Sequence, residues 1–189
     1  FLLGGGKDLG VPAYDYTEIY DPTGNTFTSK ASMTTPRMQA SAAQLTGGKV
    51  LVACGWYNNT AASTTELYDL TANTFTATGN LVQPRSYALL FPSTDGGAVI
   101  TGGWPTYGGN TYTSVENYNI TTGKWTTAST QLIPGDSGWV PAPIYTRTIE
   151  DCKLSNGKYV LFASSNVPTA RYGLIQYDPA TKLFSLIST

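Results

Sequence analysis

The chain has no histidine. That absence excludes an imidazole general base, the Ser-His-Asp and Cys-His nucleophilic schemes, and His-ligated zinc or copper. Cysteine is scarce: Cys54 and Cys152 are too few for a disulfide scaffold or a Cys-only zinc site. Charge is scarce as well. Asp, Glu, Lys and Arg make up 12% of the 189 residues, where about 25% is usual. Eleven Lys and Arg against twelve Asp and Glu leave a net charge of −1. That gives no basic surface for nucleic-acid phosphates or for an anionic membrane. No apolar run reaches the roughly 18 residues of a spanning helix, no stretch has a convincing helical period, and no segment reads as a signal peptide. Phe1 opens an apolar run without an initiator Met, so we expect a processed product or part of something longer.

What the chain has in quantity is hydroxyl, glycine and aromatic residues: 29 Thr, 14 Ser, 20 Gly and 13 Tyr. Thr and Tyr suit strands, and Gly, Asn and Pro suit tight turns. Hydrophobic residues reach 41%, enough to bury a core. The composition is associated with secreted β proteins, so an extracellular or cell-surface location is expected.

A repeat of about fifty residues runs through the chain. Its clearest block is EIYDPTGNTF (18–27), ELYDLTANTF (66–75), ENYNITTGKW (116–125) and IQYDPATKLF (175–184), the last without the Glu. Each copy sets an aromatic residue seven places after a Tyr: Tyr20/Phe27, Tyr68/Phe75, Tyr118/Trp125 and Tyr177/Phe184. Turn-forming residues lie between, so each block reads as a hairpin. An apolar run precedes each: FLLGGG (1–6), VLVACG (50–55), AVITGG (98–103) and YVLFAS (159–164). Such runs read as strands buried on both faces. A further strand comes earlier, at 41–45, 86–91 and 147–154, led in two copies by Pro36-Arg37 and Pro84-Arg85.

Four antiparallel strands per repeat, here a to d, predict an all-β chain built as a β-propeller of four-stranded blades. The paired Gly after an apolar strand, the Glu-x-Tyr-Asp step and the spaced aromatic resemble the Kelch repeat of galactose-oxidase-like propellers. The resemblance covers essentially the whole chain and is weakest in the last copy, where Ala163-Ser164 and Ile175 replace Gly-Gly and Glu. In the second copy Cys54 takes the first Gly position. About three and a half blades are expected: a partial blade with strands b to d at 1–35, and blades at 36–83, 84–133 and 134–189. Tyr-to-Tyr spacings of 48, 50 and 59 give the last an insertion, placed at 134–146. Closed Kelch-like rings carry more blades, as the resemblance implies. The chain is then a piece of a longer protein, one of two copies that close a ring, or a unit that joins others edge to edge. Two blades separate Cys54 from Cys152, too far for a bridge, so both are expected unpaired and buried.

The repeated aromatics are expected to fill the space between blades. The Gly pairs are expected to serve close backbone approach rather than phosphate binding. Glu18, Glu66 and Glu116 recur with Arg37 and Arg85. A Glu on one strand and an Arg at the next strand's start could pair and fix blade against blade; Arg37 and Arg85 could instead line a pocket for acidic ligands. Gly135 stands at the third Arg position. Asp21, Asp69, Asn119 and Asp178 are expected to cap turns rather than hold Ca²⁺, since no D-x-D-x-D spacing occurs. No metal or cofactor is expected.

Antiparallel alternation puts the b–c and d–a loops on one face of the array, with every long loop: 55–64, 103–114 and 134–146. Trp56, Tyr57, Trp104, Tyr107 and Trp139 lie there, with Arg37 and Arg85, as candidate ligand-binding residues. Exposed rings there would stack on sugars or anchor a peptide; packed rings would brace the loops. Asn58 and Asn119 fit the N-x-[ST] glycosylation pattern.

The expected function is a non-catalytic secreted or surface propeller. It would bind protein or glycan, or build an extracellular assembly, through this loop face and its edge strands. Self-association or a further segment would close the ring. Two alternatives stand. The first is a segment of a larger enzyme similar to the copper radical oxidases, which by that resemblance need His and Tyr ligands and a Tyr–Cys cross-link. The second is an intracellular Kelch adaptor.

Overall fold

The computed structural model describes residues 2–6, 13–106, 110–133, 139–141, 153–165 and 171–188. Among them the regular elements are strands, apart from one 3₁₀ turn at Thr46–Gly48. The first sheet has three strands, β1 (Leu2–Gly4), β2 (Thr17–Asp21) and β3 (Thr26–Lys30). The second has four, β4 (Ser41–Gln44), β5 (Lys49–Ala53), β8 (Thr65–Asp69) and β9 (Thr74–Ala77), and a small hairpin, β6 (Trp56–Tyr57) with β7 (Thr60–Ala61), rises between β5 and β8. The third is β10 (Ser86–Pro92), β11 (Ala98–Trp104), β12 (Val115–Asn119) and β13 (Lys124–Ser129). The fourth is β14 (Trp139–Pro141), β15 (Tyr159–Ser165), β16 (Arg171–Asp178) and β17 (Leu183–Ser188). Every sheet is antiparallel, and its strands lie side by side in chain order, as short connections demand.

Local chemistry accounts for the hairpins. Asp69 Oδ1 accepts the amides of Thr71 and Ala72, Asp21 Oδ1 that of Thr23, Asn119 Oδ1 that of Thr122, and Asp178 Oδ1 that of Ala180. Each turn then passes through a left-handed residue: Asn25, Asn73, Gly123 or Lys182. These are Asx turns, and they set the register that pairs Tyr20 with Phe27, Tyr68 with Phe75, Tyr118 with Trp125 and Tyr177 with Phe184. The ring centroids in these pairs are 4.7–5.1 Å apart.

The Gly pairs are left-handed at both positions: Gly5 and Gly6 at φ 74° and 102°, Gly102 and Gly103 at 69° and 81°. Cys54 and Gly55 keep the same path at 59° and 114°, so Cys54 holds a conformation that costs an L-residue about 1–2 kcal/mol. Close approach explains the second Gly: a Cβ on Gly103 would lie 2.6 Å from the Ser86 carbonyl oxygen. Opposite them, Gln39 and Tyr87 are also left-handed, which pinches each ladder at the same point.

Three hydrophobic cores lie between successive sheets. Tyr68, Val50 and Val52 meet Leu2 and Ile19 of the first sheet. Tyr118 and Trp125 pack with Leu51, Ala53 and Cys54 of the second. Tyr177 and Phe184 pack with Phe91, Val99 and Val115 of the third. In each, the Tyr face of one sheet meets the preceding sheet, and all three of these Tyr are fully buried. Tyr68, Tyr118, Trp125, Tyr177 and Phe184 are therefore core residues as expected, Phe75 is partly buried, and the first pair departs from the expectation, with Tyr20 half-buried and Phe27 exposed.

Two expectations need correction. The segment 134–146 was expected to be an inserted loop. Instead Trp139–Pro141 pairs with Ser165–Ala163, and Lys153 bridges Tyr159. Of the strand expected at 147–154, residues 147–152 lie outside the described residues. The physical reason is Trp139, whose burial outweighs any loop preference; its ring sits where a Cβ on Gly173 would come within 2.9 Å of it. The second correction concerns the Glu–Arg pairs. Arg37 pairs with Glu66 and Arg85 with Glu116. Each arginine thus pairs with the carboxylate of the sheet it leads into, not with that of the sheet before, while its backbone bonds to the preceding repeat, Arg37 to Gly6 and Tyr14 and Arg85 to Gly55 and Ala62. Cys54 is buried and unbridged; Cys152 lies outside the described residues.

Candidate functional site

The end of the sheets that carries the long connections is organised by the two ion pairs. Arg37 Nη2 donates to Glu66 Oε1 at 2.7 Å and to Thr64 Oγ1 at 3.2 Å; its Nη1 donates to the carbonyls of Cys54 and Thr64 at 2.7 and 3.1 Å. Arg85 repeats the pattern on Glu116, Ser114 and Gly102, at 2.6 Å to the carboxylate. Each carboxylate also accepts two backbone amides from the segment that arrives from the previous sheet: Thr34 and Thr35 on Glu66, Val82 and Gln83 on Glu116. Burial pushes the Glu66 carboxyl up, but the Thr34 amide and Arg37 outweigh it, and the group is held below its ordinary value. Arg37 and Arg85 are 1% and 0% exposed. Their guanidiniums are engaged by the fold, which favours the pairing role weighed for them over a pocket lining.

The aromatic candidates are distributed as follows. Trp56 and Trp104 are 9% and 8% exposed, and Trp139 is fully buried. Trp104 Nε1 donates to Thr111 Oγ1 at 2.9 Å, and its ring meets Tyr87 at 5.3 Å. Trp56 exchanges backbone hydrogen bonds with Met38, which ties the β6–β7 hairpin to the segment leading β4. Only Tyr57 is partly open, on the hairpin whose tip, Asn58-Asn59, is exposed and left-handed at both residues. Tyr107 lies outside the described residues. Loop packing thus takes the three indoles, and no exposed stacking platform of Trp exists among the described residues. Asn58 and Asn119 are both exposed, Asn119 with its Oδ1 committed to its turn.

Among the described residues, no three of Cys, Asp and Glu gather as a metal set. Burial raises the Cys54 thiol above its ordinary value despite hydrogen bonding with Ser41, so it is a poor nucleophile at neutral pH.

Exposure concentrates instead at the two ends of the array. In the first sheet Phe27 is 59% exposed, whereas Trp125 and Phe184 at the same position are 6% and 4%. In the last sheet Phe162 and Tyr172 are 68% and 76% exposed. Register makes Val160, Phe162 and Leu174 the equivalents of Val99, Thr101 and Val115, which the fourth sheet buries. Sequence reading took YVLFAS as buried on both faces and missed this. The run cannot reveal that its second face has no sheet on it; the uninterrupted Phe162–Leu174 cross-strand pair was the available signal.

No known family model matches the chain, and no curated protein matches it.

Proposed function

We propose that this chain is an arc of a Kelch-type β-propeller without a catalytic role, serving as an extracellular or surface-exposed binding and assembly module. Its main contact surfaces are the two end sheets, and the partner is protein. The observation that carries this reading is the exposure of Phe27 at one end and of Phe162 and Tyr172 at the other; Trp125 and Phe184, which match Phe27, and Ala53 and Thr101, which match Phe162, are buried. Exposed apolar surface of this kind marks association sites. Burial of Trp56, Trp104 and Trp139 removes the support that a glycan-stacking loop face would need. The proposed repeat family comes from the sequence pattern, and the four-stranded antiparallel sheets are what supports it.

Sedimentation velocity tests the reading. The 189-residue chain is expected to self-associate in a concentration-dependent way, and Phe162→Asp, on an exposed face, is expected to shift it toward monomer. A monodisperse monomer unaffected by Phe162→Asp would overturn it.

A further inference from the structure

The first sheet has three strands among the described residues. In the second and third sheets the strand equivalent to β1 is paired on its outer side by β4 and β10. β1 has no such partner among the described residues. The vacancy is chemical as well as geometric. Glu66 and Glu116 are 1% and 0% exposed, each holding one guanidinium and two backbone amides. Glu18 stands at the same position of β2, half-buried, and among the described residues no hydrogen bond or ion pair engages its carboxylate. The carbonyls equivalent to the other arginine acceptors, those of Gly5 and Tyr16, are also in place, with the Gly5 amide donating to Tyr16 at 3.2 Å.

We propose that the open edge of β1 receives an extended strand led by a Pro-Arg pair, and that Glu18 is its anion. The chemistry of this partner is the one the chain supplies twice to itself, at Pro36-Arg37 before β4 and Pro84-Arg85 before β10. Main-chain ladder bonds to Leu2–Gly4 give the strand its affinity, as in β-strand addition. The guanidinium on Glu18 sets its register, because a one-residue slip would carry the arginine to the opposite face. Tyr16 stands where Thr64 and Ser114 offer a hydroxyl close to the backbone, and its own hydroxyl lies at the far end of its ring, so this clamp has one hydrogen bond fewer. The inference deepens the assembly reading and rests on it, naming the partner strand at one end.

The test uses the chain's own segment, a labelled peptide of residues 32–45, added to the full protein. Fluorescence anisotropy should show saturable binding. Glu18→Gln in the protein and Arg37→Gln in the peptide should each weaken it by about tenfold or more. Glu18 has no side-chain partner to lose among the described residues, so the variant keeps its fold. Hydrogen exchange with the wild-type peptide should slow at the amides of Leu2–Gly4. No binding, binding indifferent to either substitution, or protection at Lys49–Ala53 from invasion of the second sheet would each overturn the inference. Peptide binding by a protein that stays monomeric would instead overturn only the self-assembly reading, and self-association sensitive to Phe162→Asp without peptide binding would overturn only this one.

Discussion

The second and third sheets differ from the fourth in one internal feature, and the difference separates what makes a sheet from what fixes it to its neighbours. All three have four antiparallel strands in chain order and the same Tyr–aromatic hairpin pair. Two carry a buried arginine–carboxylate clamp. The fourth has Ile175, fully buried in the adjoining core, where the carboxylate would stand, and its sequence has Gly135 where the arginine would stand. The ladder therefore forms without the ion pair. What the pair adds is a grip on the incoming connection, through the amides of Thr34, Thr35, Val82 and Gln83. Where the connection changes, both halves of the clamp change together. That is the economical outcome, because a lone buried charge is far more costly than a buried pair or a well-packed aliphatic residue.

Removing one half should produce the largest effect. Glu116→Ala leaves Arg85 buried and unpaired and is expected to cost about 3–5 kcal/mol in urea unfolding. A loss below about 1 kcal/mol would mean the pair behaves like a surface bridge, which would break the contrast. Copying the fourth sheet should do less harm. The double change Arg85→Leu with Glu116→Ile is expected to cost about 1–3 kcal/mol, because the Val82 and Gln83 amides still lose their acceptor. A double variant worse than Glu116→Ala would show that the aliphatic solution depends on features of the fourth sheet alone.

The smallest effect concerns the opposite end, where the ion pairs are exposed. Lys49 meets Asp69 at 2.8 Å and Lys182 meets Asp95 at 2.5 Å. The hydrogen bond from Lys49 foremost, with the turn amides of Ala72 and Thr71, lowers Asp69 to about 2; those from Lys182 and Ser93 lower Asp95 to about 2. A carboxyl lowered on folding adds stability above its ordinary value near 3.8, and that contribution is lost as pH falls toward 2. The wild-type melting temperature should therefore fall as pH drops through this window. Asp69→Asn with Asp95→Asn should flatten that part of the profile and lower the melting temperature at pH 7 by about as much as the wild type loses on acidification. An unchanged acid limb would mean the tight-turn end contributes nothing that titrates.

The legible parts of the sequence were those settled by local chemistry. The Asp or Asn at the head of each turn, the left-handed residue at its end and the seven-residue Tyr–aromatic spacing specify a hairpin within ten residues, and all four hairpins form. The recurrence of Glu and Arg was equally plain, but their partnership was not. Choosing Glu66 over Glu18 for Arg37 depends on which sheet the connection enters, a decision made across 29 residues. Burial of the loop tryptophans was hidden for the same reason. Trp139 is seated against Gly173, 34 positions away in the chain, and a window around Trp139 contains no sign of that space. The exposure of the end faces was not legible, since exposure depends on what packs beside a face.

The two end faces are unlike: a Tyr20–Phe27 surface at one, a Phe162–Tyr172 surface at the other. A two-fold dimer needs the same patch on both partners, so these faces favour addition of head to tail. Growth of that kind has a polarity. Its outcome is set by one angle: a rotation per copy that divides a full turn yields a closed ring of fixed size, and any other yields a filament without a natural end. A charge at Phe162 would stop one direction of growth while leaving the first sheet competent to cap another copy, so substoichiometric Phe162→Asp protein should act as a chain terminator.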